Sequence, residues 1–260
     1  MKKRIISAIV MAIILIPLLI LGGHFFAAAV GVIAALAYKE IVNLKKEGYP
    51  NIMLFLGFLS LISLVFSNYV NCSIYLGITY QIIAFCILVM LIPVIFFKDD
   101  AYTTKDAFYL IGAILLLGIS FNTFVILRNR SLPLFVYLLI IPMVTDIFAM
   151  LGGKFFGKHK LCPKLSPKKT WEGSIIGLAG GVIISLIFYI IFIGSINITV
   201  VMTSIILSIV GQMGDLVMSK VKREHDIKDF SNLIPGHGGI LDRLDSVIFV
   251  FLTYMFLLIM

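Results

Sequence analysis

The order of apolar and polar residues predicts a chain of long apolar helices joined by short polar connections. A helix needs roughly 20 mainly apolar residues to cross a hydrocarbon core of about 30 Å. No stretch shows the strict alternation of a membrane β-strand. The pattern predicts an all-α, polytopic integral membrane protein with about nine transmembrane helices. The predicted spans lie at 5–22, 25–38, 52–69, 74–97, 107–127, 132–151, 174–196, 198–217 and 244–260.

Composition excludes a soluble globular domain. Of the 260 residues, 61% are hydrophobic and 13% are charged, whereas soluble domains carry about 25% charged residues. We therefore expect a multi-pass protein that has membrane lipids as its surroundings.

The distribution of basic residues predicts the orientation of the helices. Short loops rich in Lys and Arg remain cytoplasmic. With the N-terminus inside, nine crossings leave Arg128 and Arg130 outside and place 19 of the 21 basic residues inside. The net charge of +8 is thus mainly a topological signal, which suits anionic headgroups and nucleotide phosphates and gives no reason to expect nucleic acid. Short loops and this charge bias point to a bacterial cell membrane.

Polar residues suited to catalysis or ligand binding are concentrated in the second half of the chain. We therefore divide it into N-terminal transmembrane helices, residues 1–130, and a C-terminal catalytic region, residues 131–260. The topology places two polar loops of the second region, 152–173 and 219–245, on the cytoplasmic face. The active site is expected on that face.

The first loop ends in SPKKTWEG, residues 166–173. Lys168 and Lys169 are flanked by the hydroxyls of Ser166 and Thr170, and together these groups can grip a polyphosphate through charge-assisted hydrogen bonds. An ordinary basic cytoplasmic loop remains the alternative interpretation.

The second loop combines bases, acids and glycines. Lys222, Arg223, Lys228 and Arg243 are close in sequence to Asp226, Asp229, Asp242 and Asp245, with PGHGG at 235–239 between them. Glycines let the backbone approach a phosphate, and Mg²⁺ usually takes one or two carboxylates plus substrate phosphates. His237 fits either a general base or phosphate donor, or simply a turn residue. A solvated loop of salt bridges is the alternative for the whole segment.

Two acids lie inside apolar helix sequence, Asp146 in the sixth span and Asp215 in the eighth. A charge at mid-membrane costs at least ~2.5–3.5 kcal/mol on insertion scales, so these residues are functional candidates. Both are near predicted cytoplasmic ends. Asp215 and Asp242 together are the predicted metal ligands, with Asp146 and Asp245 as further candidates.

The second loop resembles the signature of the phosphatidate cytidylyltransferase (CDP-diacylglycerol synthase) family, and the 166–173 segment resembles that family as well. In the second half of the chain the resemblance extends to individual motif positions. In the first half it is limited to the series of apolar helices. Its fixed positions are Ser219, Lys222, Arg223, Lys228, Asp229, Ser231, Ile234, Pro235, His237, Gly238, Gly239, Ile240, Asp242, Arg243, Leu244 and Asp245.

The resemblance implies that phosphatidate and CTP react to give CDP-diacylglycerol and pyrophosphate. It also implies a requirement for Mg²⁺, with K⁺ as an additional monovalent cation that assists the reaction. The catalytic residues expected from it are Asp215, Asp242, Lys222, Arg223 and His237. The expected substrate-binding residues are Ser166, Lys168, Lys169, Thr170, Glu172, Lys228, Asp229 and Arg243.

The sequence leaves two alternative functions open. One is a related transferase acting on another lipid, such as an ether lipid or a polyprenol. The other is a transporter, which would place its acids near the midplane within an inverted repeat. The sequence leaves lipid selectivity, dCTP use and oligomeric state open, with a homodimer as one option.

Overall fold

The computed structural model describes residues 2–45, 47–67, 69, 76–97 and 101–258. Lys46 and Lys98, both used in the charge count, lie outside the described residues. So do residues 74 and 75 at the start of the fourth predicted span and residues 259 and 260 at the end of the ninth.

Within the described part of the chain, nine α-helices follow the nine predicted spans in order. They are α1 Lys2–Leu21, α2 Gly23–Val42, α3 Asn51–Val65, α4 Leu76–Leu91, α5 Thr104–Arg130, α6 Leu132–Phe156, α7 Trp171–Phe192, α8 Ile198–Glu224 and α9 Leu241–Leu257. A short 3₁₀ turn, Ile92–Ile95, follows α4. The all-α prediction is confirmed.

Five of the described helices are long and apolar enough to cross a membrane: α2, α5, α6, α7 and α8. Shorter apolar helical segments lie at Ile9–Leu21, Asn51–Val65 and Tyr80–Ile95. The chain is thus a multi-pass, all-α membrane protein. Nine crossings and a cytoplasmic N-terminus stay predictions.

The chain divides into two compact units, and the first comprises Met1–Arg130 with Phe230–Asp242. Its core surrounds α5, where Leu110, Ile114, Leu117 and Phe121 are completely buried. The Asn122 side-chain amide donates to two main-chain carbonyls at the end of α3, at 3.0 and 2.7 Å. The two carbonyls belong to Val65, the last residue of α3, and to Ser67 just beyond it, so these bonds satisfy carbonyls that the end of the helix leaves without a helical partner.

The second unit comprises Ser131–Asp229 with Arg243–Met260. In it, α6 and α7 approach so closely that a Cβ atom at Gly177 would lie 2.7 Å from both the Ala149 Cβ and the Thr145 carbonyl oxygen. Small residues permit such contacts between membrane helices. The Thr145 hydroxyl lies 2.9 Å from that of Ser208, which joins α6 to α8.

An antiparallel hairpin joins α6 to α7, where the sequence predicts a loop over 152–173. Its strands are β1 Lys160–Cys162 and β2 Ser166–Thr170. The first residues of the predicted loop instead continue α6 as far as Phe156. The second predicted loop, 219–245, is also shorter, because α8 continues to Glu224 and α9 begins at Leu241.

Candidate functional site

The second unit brings together three of the acids predicted to bind metal. Asp146 lies on α6, Asp215 on α8 and Asp245 on α9. Asp245 is close enough to both other carboxylates to interact with them electrostatically. Three carboxylates so near one another repel, and nearby cations reduce that repulsion.

Lys169 supplies one of these cations. Its Nζ lies 2.5 Å from Asp215 Oδ2, and both side chains are only about one quarter exposed, at 27% and 24%. Lys169 is on β2, so the hairpin brings this ammonium group to α8. The Ser219 hydroxyl donates to the other oxygen of Asp215 at 3.3 Å.

Lys222 supplies a second cation. This side chain lies in the last turns of α8 and is only 8% exposed. It interacts favourably with Asp245. Asp245 Oδ1 also accepts from the Ser246 backbone N–H at 2.9 Å, while the Ser246 hydroxyl donates to Asp146 at 3.4 Å. Bases and hydroxyls therefore surround the acidic cluster.

Other predicted substrate-binding residues of the hairpin have structural contacts. The Thr170 hydroxyl accepts from the Gly173 backbone N–H at 3.2 Å and caps α7. Glu172 accepts from the backbone N–H of Lys158 at 3.1 Å and lies 2.6 Å from Nδ1 of His159. These contacts fix the start of α7.

Most of the remaining predicted catalytic and substrate-binding groups are accessible. Lys168 on β2, and Lys228 and Asp229 after α8, are exposed, while Ser166 is half-buried. Arg223 is exposed at the end of α8, and its guanidinium donates to the Ile227 carbonyl at 3.0 Å. Arg243 is exposed in the first turn of α9. The role of these groups in substrate binding remains a prediction.

Asp242 belongs to the first unit, where its carboxylate accepts hydrogen bonds from the backbone of the 230–242 segment. Its side chain is 8% exposed. Oδ2 accepts from the backbone N–H groups of Phe230 at 2.8 Å and Gly239 at 2.9 Å. The carboxylate thereby links both ends of the segment to the start of α9.

The glycines of this segment form a tight turn. Gly236 and Gly238 have φ angles of 79° and 90°, a region that favours glycine. The Ile234 N–H donates to the Gly238 carbonyl at 2.8 Å. Nδ1 of His237 lies 2.7 Å from the Ser7 hydroxyl, which donates to the Pro235 carbonyl. His237 is therefore held by α1, a contact that the sequence did not reveal.

Glu40 on α2 is a further residue that sequence reasoning missed. Its side chain is 4% exposed, and its carboxylate accepts from Ser231, Ile240 and Leu241. A signal was present, since an acid beside an apolar span is a functional candidate. The sequence alone does not assign Glu40 to the site, because this residue lies two residues beyond the predicted span 25–38.

The carboxylates have chemistry that suits Mg²⁺, which prefers oxygen ligands and needs only one or two from protein when phosphates and water complete its shell. Among the described residues, no group of three or more His, Cys, Asp and Glu side chains is placed to hold a metal ion by itself. Asp215 and Asp242 belong to different units. Their sharing of one metal site stays a prediction.

Comparison with known proteins agrees with the motif. The model of the Cytidylyltransferase family matches residues 2–260. A phosphatidate cytidylyltransferase of Staphylococcus aureus is 33% identical, with 96% of each chain covered. The protein of that name from Bacillus subtilis is 32% identical over 99% of this chain and 97% of its own. The chain therefore belongs to the cytidylyltransferase family.

Proposed function

We propose that this protein is a phosphatidate cytidylyltransferase, which transfers CMP from CTP to phosphatidate in phospholipid biosynthesis. The observation that carries the proposal is the similarity along almost the whole chain to relatives with that name. The products are CDP-diacylglycerol and pyrophosphate.

The reaction needs no nucleophile from the protein. A phosphate oxygen of phosphatidate attacks the α-phosphorus of CTP, and the bond from that phosphorus to the bridging oxygen of the β-phosphate breaks. The electron pair leaves with pyrophosphate. The protein must therefore hold two polyanions together and neutralise charge on the leaving group.

Asp215 and Asp242 are the proposed Mg²⁺ ligands, with Asp146 and Asp245 as additional ligands or supports. When bound, Mg²⁺ would neutralise negative charge on the phosphates of CTP and on the departing pyrophosphate. K⁺ is proposed as a further cation. The convergence of Asp146, Asp215 and Asp245 in one unit supports this assignment.

The basic residues are proposed to bind the phosphates. Lys169 and Lys222 already lie among the acids and can contact a phosphate beside the carboxylates. The exposed side chains available to reach the remaining phosphate charge are Lys168, Arg223, Lys228 and Arg243. His237 and its glycines are proposed to shape the phosphate cradle, and Ser166, Thr170, Glu172 and Asp229 are proposed to contribute to substrate binding.

We also propose the number of membrane crossings and the orientation of the protein. Nine crossings with a cytoplasmic N-terminus place both loops on the face where CTP is available, in a cell membrane that supplies phosphatidate. No nucleic-acid partner is proposed, and the protein is compatible with a homodimer. Its support is the charge distribution along the chain.

Pyrophosphate release by the purified protein tests the proposed function. The reaction contains phosphatidate, CTP and Mg²⁺, and parallel reactions replace CTP with ATP or phosphatidate with an ether-linked analogue. We expect release that requires both CTP and phosphatidate. Release with only the other lipid would reassign the substrate, and no release with any lipid would reject the enzyme assignment.

A further inference from the structure

We infer that Glu40 is a positioning residue, which holds the start of α9 so that Asp242 keeps its place. This inference rests on the proposed function, in which Asp242 binds Mg²⁺. Glu40 lies on α2, far from Asp242 in sequence, and both residues belong to the first unit. The inference follows from hydrogen bonds within that unit.

The Glu40 carboxylate accepts three hydrogen bonds from the 230–242 segment. Oε1 accepts from the Ser231 hydroxyl at 2.6 Å and from the Ile240 backbone N–H at 2.9 Å. Oε2 accepts from the Leu241 backbone N–H at 2.9 Å. A charged acceptor strengthens each of these bonds relative to a neutral one.

The location of the carboxylate also favours its negative charge. Ile240 and Leu241 lie at the beginning of α9, and the first N–H groups of a helix carry partial positive charge. Burial would make an uncompensated carboxylate costly. Three hydrogen-bond donors contact the Glu40 carboxylate, and they compensate the cost of burying its negative charge.

The fit between α2 and the segment leaves no room for a side chain at position 239. A Cβ atom on Gly239 would lie 2.5 Å from Glu40 Oε1 and 2.7 Å from Oε2. Glycine therefore permits the close approach of the backbone to the carboxylate. This explains in physical terms why the PGHGG run ends in glycine at this point.

Glu40 and Asp242 hold adjacent parts of one short stretch of backbone. Asp242 accepts from the Gly239 N–H, and Glu40 accepts from the next two N–H groups, those of Ile240 and Leu241. Loss of either acceptor releases peptide units that are adjacent to those held by the other. Glu40 therefore acts on the reaction through Asp242 and need not touch substrate itself.

The test compares Glu40→Gln with Glu47→Gln in the purified full-length protein. Glutamine keeps the size of the side chain but turns one carboxylate oxygen into an N–H₂ donor, which cannot accept from all three groups. Glu47 is an exposed acid of the same unit and supplies the matched control. Ser231→Ala is a milder variant, which removes one donor and keeps the carboxylate.

Two measurements are made on each variant. Amide hydrogen exchange over 239–241 reports how firmly the segment is held, without depending on any substrate. Steady-state kinetics with CTP and phosphatidate report kcat and KM separately. For Glu40→Gln we expect exchange of these amides to rise about 10- to 100-fold, with kcat reduced by a similar factor and KM for CTP changed much less. Ser231→Ala should change both quantities in the same direction by less, and Glu47→Gln should change neither.

The two measurements separate failure of this inference from failure of the proposed function. Unchanged exchange in Glu40→Gln and Ser231→Ala would overturn the inference whatever the activity. Faster exchange with an unchanged kcat would also overturn it, because Glu40 would then only stabilise the fold. An inactive wild-type protein would reject the proposed function and the effect on catalysis, while the exchange data would still decide whether Glu40 holds the segment. If Glu40→Gln does not fold, Ser231→Ala carries the same comparison.

Discussion

Lys169 on β2 and Asp215 on α8 form an ion pair with 2.5 Å between Nζ and Oδ2. The pair ties the hairpin to the helix that carries a proposed metal ligand. It also places an ammonium group near both Asp215 and Asp146, where it reduces the negative charge that a phosphate would meet.

Replacement of Lys169 by methionine should reduce kcat/KM about 100-fold, because it removes a proposed phosphate contact and leaves Asp215 without this cation. Lys164→Met is the matched control, since Lys164 is exposed in the same hairpin and has no proposed role. Initial rates at several CTP concentrations give the comparison. Equal activity of the two variants would remove Lys169 from the site.

Asp215→Ala should abolish turnover while the protein still folds. Its side chain is partly exposed, and its contacts in the second unit are polar ones made to Lys169 and Ser219. Asp226→Asn serves as the control, because Asp226 is exposed with φ of 56°, a conformation that asparagine tolerates. Activity and the yield of monodisperse protein are measured together. Full activity of Asp215→Ala would reject the metal assignment.

Gly177→Ala should destabilise the second unit. The new methyl group would lie 2.7 Å from Ala149, and overpacking of this kind costs about 1–3 kcal/mol. We expect the midpoint of thermal unfolding in detergent to fall by about 2–10 °C.

Gly112→Ala supplies the contrast for the Gly177 variant. Apart from its chain neighbours and the nearby backbone of its own helix α5, no described atom lies within 4 Å of a Cβ at Gly112. Alanine is the better helix former by roughly 0.5–1 kcal/mol, so this variant should unfold at the same temperature or slightly higher. Equal midpoints for the two variants would contradict the close α6–α7 contact.

Gly239→Ala should lower activity by displacing the Glu40 carboxylate, since the added Cβ would lie 2.5 Å from Oε1. Glu40→Ala should lower it as well, because the segment loses its acceptor. In a Glu40→Ala background the carboxylate is absent, so the Gly239→Ala substitution can no longer displace it. The double variant should therefore be no worse than Glu40→Ala, whereas strictly additive losses of kcat would argue against a shared mechanism.

The predicted orientation can be tested by labelling introduced cysteines in intact cells. In a protein with its native cysteines replaced, Arg130→Cys should react with a membrane-impermeant maleimide and Lys164→Cys should not. Both positions are exposed in the structure. Opening the cells should make Lys164→Cys reactive. Reaction of Lys164→Cys in intact cells would reverse the predicted orientation.

Much of the fold could be predicted from hydropathy because burial in lipid demands long apolar helices. The span 107–127, for example, lies entirely within α5, Thr104–Arg130. The hairpin could not be predicted in this way. Strand β2, SPKKT, contains Lys and Pro and no alternating apolar pattern, so only its pairing with β1 reveals it.

The site was predicted in part for a similar physical reason. Asp146 and Asp215 are predicted from sequence because charges within apolar helices are costly, and Asp245 is predicted as a carboxylate of the second loop. The structure brings the three together. Glu40 gains its role from partners about 190 residues away, such as Ser231 at a separation of 191. No local pattern encodes a contact at that distance.

The position of bond cleavage in CTP distinguishes transfer of CMP to phosphatidate from every other reaction between these substrates. Purified protein is given phosphatidate and CTP with radioactive phosphorus at either the α or the γ position, and the lipid is then extracted. We predict that α label enters the lipid, that γ label is released as pyrophosphate, and that Asp215→Ala transfers neither. Entry of γ label into the lipid would identify a kinase, and no label in the lipid from either CTP would contradict the proposed transfer.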